Sequence, residues 1–155
     1  MAVIDAIADR FRREVAEPAF AAPRGAPRLV ALMELWIAWS EHPARPGGCQ
    51  LIASAFDLDA LEGAARERLG TWIGAWREAI RRAVADARDL DARSTLDPDD
   101  AASLAHGLYA AQHIERSVLG DATAASRALR QWCDAVGASD TDGRAGGGSA
   151  LHARR

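Results

Sequence analysis

The chain has 155 residues, a formal net charge of -3, and nineteen basic residues that are all arginine. A single domain of this size buries about two-thirds of its unfolded surface without staples, and its mildly acidic balance argues against gripping a phosphate backbone, which needs a clustered basic face. Cys49 and Cys133 lie far apart and follow no secretory pattern, and the apolar stretch from Leu29 to Trp39 is broken by Glu34. That stretch is shorter than the ~20 residues of a membrane span. The expectation is a soluble, cytoplasmic protein without a disulfide framework and without a membrane partner.

Residues 2 to 16 predict a helix: Val3, Ile4, Ile7, Phe11 and Val15 recur at three- and four-residue steps, and Asp9 stands four residues before Arg13. Pro18 is expected to stop it. Pro27 suits the first turn of a second helix, whose stripe is Leu29, Leu32, Met33, Trp36 and Trp39; Val30 and Ile37 extend the apolar surface, so this helix is buried on most sides. Pro43, Pro46, Gly47 and Gly48 then force a turn before the short apolar segment Cys49 to Phe56.

From about Leu61 to Ala92 one long helix is predicted, with Leu69, Trp72, Ile73, Trp76, Ile80, Val84 and Ala87 on its apolar side and the pairs Glu62/Arg66 and Glu78/Arg82 on its wet side. Gly70 and Gly74 inside it each cost about 1 kcal/mol relative to alanine, which suggests a close helix contact or room for a ligand. Asp97-Pro98-Asp99-Asp100 reads as an N-cap, a proline in the first turn and two carboxylates at the positive end of a helix running to about Leu119. Gly120 closes it, and Asp121 opens a last helix with the stripe Ala125, Leu129, Trp132 and Val136. Residues 138 to 155, almost without apolar content and including Gly146 to Gly148, predict a disordered tail after a domain spanning 1 to 137. With no two-residue alternation anywhere, the fold class is all-α, an antiparallel bundle of five to six helices.

The residues that could carry chemistry are few. Trp36, Trp39, Trp72 and Trp76 lie on inward stripes and could line an aromatic slot, with ordinary core packing as the competing reading. His106, Tyr109 and His113 share one helix face and could act as polar anchors, but no third metal-binding group stands at a neighbouring step, so no metal is expected. Cys49 at the start of a short helix could be an activated thiol or a small core residue. The Arg10, Arg12, Arg13 cluster reads as a solvated face rather than a phosphate contact. No phosphate loop, metal signature or nucleophile elbow appears, Asp97, Asp99 and Asp100 are explained by capping, and neither an enzyme nor a cofactor is expected.

The order of the pieces is more specific than any one of them: a tryptophan-rich helix, Pro46-Gly47-Gly48-Cys49-Gln50-Leu51 leading into an Ala-rich helix with Phe56-Asp57-Leu58, a long amphipathic helix, a Leu-Asp-Pro-Asp start, and a last helix opened by Gly120-Asp121. Over about residues 1 to 137 this resembles the C-terminal domain of TetR-family transcriptional regulators. The resemblance implies a pocket for a largely apolar small-molecule effector, with Trp36, Trp39, Ile52, Phe56, Trp72, Trp76, Tyr109 and His113 as candidate ligand contacts. It also implies a homodimer through the last two helices, with Ala105, Gln112, Ala125, Leu129, Trp132 and Val136 as candidate interface residues. Family members carry a helix-turn-helix unit before the position of Met1, and residues 1 to 16 match the helix that follows it. No segment here offers a basic reading helix, so the expectation is a sensing domain that does not itself touch nucleic acid. The alternative is a stand-alone ligand-binding or heterodimerising module.

Overall fold

The first helix does not stop at Pro18. In the computed structural model, which describes residues 2–43, 47–58, 62–90 and 95–138, α1 (Ala2–Phe11) passes through one π-helical turn (Arg12–Ala16) into α2 (Glu17–Ala21). Proline has no N–H to give the carbonyl four residues back, and its ring crowds that carbonyl. Here the chain widens just before Pro18, and the Glu17 N–H reaches the Arg12 carbonyl five residues back. On the outer face Asp9 lies 3.7 Å from Arg12 rather than pairing with Arg13, and Arg10 pairs with Glu14 at 2.7 Å.

Helix α3 (Ala26–Glu41) follows Gly25, whose φ of +92° suits glycine. It is the central rod, burying Leu29, Leu32, Met33, Trp36, Ile37, Trp39 and Ser40 and touching the π turn, α5, α6 and α7. His42 turns extended and ends it; Pro46 lies outside the described residues. Gly48 has φ +78°, and a Cβ there would stand 2.5 Å from the His113 ring, so both backbone and space demand glycine. Helix α4 (Gln50–Leu58) starts directly afterwards.

Helix α5 (Ala64–Leu90) is the long amphipathic element, about 40 Å by its residue count, with Leu69, Trp76, Ile80, Ala83, Val84 and Ala87 buried and Glu78 paired to both Arg81 and Arg82. Nothing lies within 4 Å of a Cβ built at Gly70 or Gly74, so neither glycine is there for a close helix approach within this chain. Helix α6 (Pro98–Ser117) begins as its sequence predicts: the Asp97 carboxylate accepts from the N–H groups of Asp99 at 2.8 Å and Asp100 at 3.4 Å. Asp121 accepts from the Thr123 N–H at 2.8 Å ahead of α7 (Ala124–Ala135). Its carboxyl is pulled down to about 2, first by its hydrogen bond from Arg127 and then by those from Thr123.

Among the described residues all regular structure is helical. Helices α6 and α7 pack most extensively on each other, α5 lies along α6, and α1 and α4 meet over α5. The fold continues to Ala138, which is buried and donates its N–H to the Cys133 carbonyl at 2.8 Å; the remainder of the predicted tail, 139–155, lies outside the described residues.

The apolar stripe of α7 faces inward. Trp132 is 1% exposed, and its indole N–H donates to the Leu29 carbonyl of α3 at 2.7 Å. Ala105, Gln112 and Val136 are likewise buried within the protomer. Of the six residues expected at a dimer contact, only Ala125 and Leu129 keep partial exposure. The stripe was visible in the sequence, but the helix it meets first is α3 of the same chain. The outward face of α6 instead carries Leu104, Gly107, Leu108, Ala111, Ile114 and Val118 at helical spacing, with Ile114 and Val118 prominently exposed.

Candidate functional site

A cavity of roughly 150 Å³ opens between the first helical run and α3, α4, α5 and α6. Ala8, Phe11, Arg12 and Ala16 wall one side, so the π turn itself borders it; Trp36, Cys49, Leu51 and Ile52 form the floor, Trp72, Ile73, Ala75, Trp76 and Ala79 come from α5, and His106 from α6. The deep residues Ala8, Phe11, Trp36, Cys49, Leu51 and Trp76 are buried, while Arg12 and Ala75 at the rim are exposed. The rings cross edge to face: Phe11 and Trp76 at 5.0 Å, Trp36 and Trp76 at 5.5 Å, Trp36 and His106 at 5.1 Å. Crossed flat rings cannot tile a volume as aliphatic side chains do, which is how four large aromatics leave space between them.

The polar atoms on this wall are unequally satisfied. Trp72 donates its N–H to Asp5 at 3.1 Å, and Arg68 donates to the same carboxylate at 2.6 Å, tying α5 to α1. Together these donors hold Asp5 below the usual carboxylate range. The Trp36 and Trp76 N–H groups and the His106 Nε2 are buried with no hydrogen-bond partner. His106 Nδ1 sits 2.8 Å from the Ala102 carbonyl. A carbonyl only accepts, so Nδ1 carries the proton and Nε2 presents a lone pair. Burial, with the Arg77 charge assisting, depresses the His106 pKa and favours this neutral ring.

Cys49 is a free, buried thiol. Burial pushes its pKa up, against the lowering effect of the Ile52 and Leu51 N–H groups at the start of α4. A neutral thiol that caps a helix and fills the floor is a packing residue rather than an activated nucleophile.

Of the expected ligand contacts, Trp36, Ile52, Trp72 and Trp76 border the cavity together. The other four lie elsewhere. Trp39 is buried against Phe11 at 5.6 Å and lines a separate, larger cavity of roughly 420 Å³ with Ala2, Val3 and Arg10. Phe56 is 70% exposed on the outer side of α4. Tyr109 stacks flat on Trp36 at 4.4 Å, and its hydroxyl accepts from the Cys49 N–H at 2.9 Å, which pins the turn before α4. His113 packs on Gly48 in a polar crevice with Ser40, Glu41 and Arg116. Phe11 borders the cavity without having been expected there, and so does His106, which the sequence offered only as one of three possible polar anchors. Phe11 was visible as an apolar helix position, and His106 as the first member of the His106, Tyr109, His113 face, but spacing alone could not say which member points at a void.

Among the described residues no group of histidine, cysteine and carboxylate side chains could hold a metal ion, and no helix is long and apolar enough to cross a membrane.

Comparison with known proteins agrees with the architecture. A TetR transcriptional regulator from Chloroflexus aurantiacus J-10-fl superposes with a TM-score of 0.73, covering 88% of this chain and 69% of that one at 24% identity, a likeness of fold. No curated protein sequence matches. Residues 25–132 match the family described as tetracyclin repressor-like, C-terminal domain. That match spans well over half of the chain, from the start of α3 into α7, and the protein belongs to this TetR family of transcription regulators.

Proposed function

We propose that this domain senses a small, largely apolar molecule in the aromatic cavity and forms a homodimer, serving as the effector-responsive half of a transcriptional regulator. The observation that carries the reading is the position of the cavity: its wall includes Ala8, Phe11, Arg12 and Ala16 of the first helical run. A molecule seated there touches the element that would connect to an operator-reading domain placed ahead of it. Occupancy changes regulator output only if the ligand binds one position of that helix better than another. The π turn on the cavity wall, where the hydrogen-bond pattern shifts by one residue, is an irregularity of the kind often found at functional sites.

For the dimer, the supporting feature is the outward face of α6, where Leu104, Gly107, Leu108, Ala111, Ile114 and Val118 form an uncharged strip beside Ala125 and Leu129 of α7. Self-association of such a face is isologous. Sedimentation velocity of the wild type should give a dimer, and Ile114→Glu and Leu108→Glu should each give a folded monomer. A wild-type monomer, or dimers in both variants, contradicts the interface. For the cavity, calorimetric titration with toluene should show saturable binding that Ala79→Leu abolishes by filling the space. No saturable heat, or binding unchanged by Ala79→Leu, contradicts the sensing role.

A further inference from the structure

Of the three indoles bordering the cavity, Trp72 is fixed differently from the other two. Trp36 and Trp76 are 1% and 7% exposed and cross each other at 5.5 Å, whereas Trp72 is only partly buried, so packing alone encloses less of it. A second hold comes from α1. Asp5 accepts from the Trp72 N–H at 3.1 Å and from Arg68 Nε at 2.6 Å. The Arg68 guanidinium also lies over the Trp72 ring, 5.4 Å from its centroid. Trp72 borders the cavity, while Asp5 and Arg68 are not on its lining. The three groups make one unit that reaches from the cavity wall to the first helix. Both charged side chains are more than a third exposed, so the pair adds little to stability by itself. Its consequence is geometric: it fixes where one wall of the cavity stands.

We propose that Asp5 is a positioning residue for the cavity: it holds the Trp72 indole in the wall, so that a guest binds best when α1 is seated where Asp5 meets Trp72. This deepens the sensing role proposed above and rests on it. A ring beside an empty space gains dispersion contacts by leaning into that space. Without its tie to α1, Trp72 is free to do so and takes room that a guest needs. With the tie made, the wall is preset and the guest does not have to order it. Apolar contacts from Ala8 and Phe11 to a guest change gradually as the helix moves, whereas a hydrogen bond depends on distance and angle and is lost sharply. The coupling runs both ways, because the factor by which the seated helix raises guest affinity is the factor by which the guest favours the seated helix. Occupancy therefore favours the Asp5 contact, and a displacement of α1 that parts Asp5 from Trp72 weakens the hold on the guest.

The test is calorimetric titration of the full chain with toluene near neutral pH. It is run on the wild type, Asp5→Ala, Asp5→Asn, Trp72→Phe and the double variant Asp5→Ala with Trp72→Phe, each first checked for an intact helical melt. Asp5→Ala should weaken toluene binding about tenfold, the size of one hydrogen bond to a charged group. Asp5→Asn keeps an acceptor oxygen for the indole and should weaken it by less. Trp72→Phe removes the N–H and leaves the Asp5–Arg68 pair, so in that background adding Asp5→Ala should change affinity by about twofold or less. A carboxylate that merely steadies the fold would lower affinity equally in both backgrounds. Amide hydrogen exchange reads the reverse coupling: saturating toluene should slow exchange across Ala2–Phe11 more in the wild type than in Asp5→Ala. Equal toluene affinity in the wild type and Asp5→Ala overturns the inference, and so does an undiminished loss in the Trp72→Phe background. If toluene does not bind the wild type, the sensing role itself fails, an outcome distinct from a lost dependence on Asp5.

Discussion

Two tryptophans of one core make opposite statements. Trp132 of α7 is closed in against α3, with its N–H on the Leu29 carbonyl at 2.7 Å. Around it the α6 and α7 half is tiled by small residues, Ala101, Ala102, Ala105, Ala124 and Ala128, that let helices approach closely. Trp76 of α5 is almost as buried, yet it borders a void and its N–H has no partner. Buried polar groups in native proteins are nearly always met, and an exception calls for an explanation such as a missing water or guest. The difference lies between the two indoles: one spends its N–H on holding α7 against α3, and the other leaves its N–H unspent beside a cavity.

Breaking the comparison is most direct at its closed end. Trp132→Ala should lower the unfolding free energy by about 3–5 kcal/mol in urea denaturation, the cost of emptying a tightly packed indole site. Paired phenylalanine variants sharpen it: Trp132→Phe should cost about 1–2 kcal/mol more than Trp76→Phe, because only the first gives up a made hydrogen bond. Equal losses for the two would mean that Trp76 is held as firmly as Trp132. Smaller again, Gly74→Ala should raise stability by about 0.5–1 kcal/mol, since a Cβ there meets nothing and helix propensity alone decides. A loss at that position would reveal a partner covering α5.

The smallest expected effect is one of pH. Burial favours the neutral form of His106 in the folded state, so its pKa there lies below the unfolded value. The stability this contributes is present above the ordinary histidine range near 6.5 and is lost as pH falls through the lowered folded value. The urea midpoint of the wild type should therefore drop on acidification below that range by more than the midpoint of His106→Phe does. Parallel pH profiles for the two would show that the ring charges freely in the folded protein.

The fold was largely legible in the sequence because its signals are local: the Asp97-Pro98 cap, the stripe from Leu69 to Ala87, and the glycine pair before Cys49 each act within a few residues. Pro18 misled because a proline's local effect is to end helices, and only the structure reveals a π turn absorbing it. Gly70 and Gly74 misled in the other direction, suggesting a close approach that this chain does not make. The cavity was half legible. Trp36, Trp72 and Trp76 were recognisable as inward indoles, but periodicity reports only that a side chain faces inward. Whether it meets a carbonyl, as Trp132 does, a carboxylate, as Trp72 does, or nothing, as Trp76 does, depends on contacts between helices far apart in sequence.

The central claim is that the Trp76 side of the core receives a guest and the Trp132 side does not. Two-dimensional nitrogen-proton NMR resolves each indole N–H, and titration with toluene reads both sides at once. The account predicts saturable shifts of the Trp76 indole resonance, with Trp36 and Trp72 following, while the Trp132 resonance stays in place. A Trp132 resonance that moves as far as that of Trp76, or a Trp76 resonance that does not move at all, would contradict it.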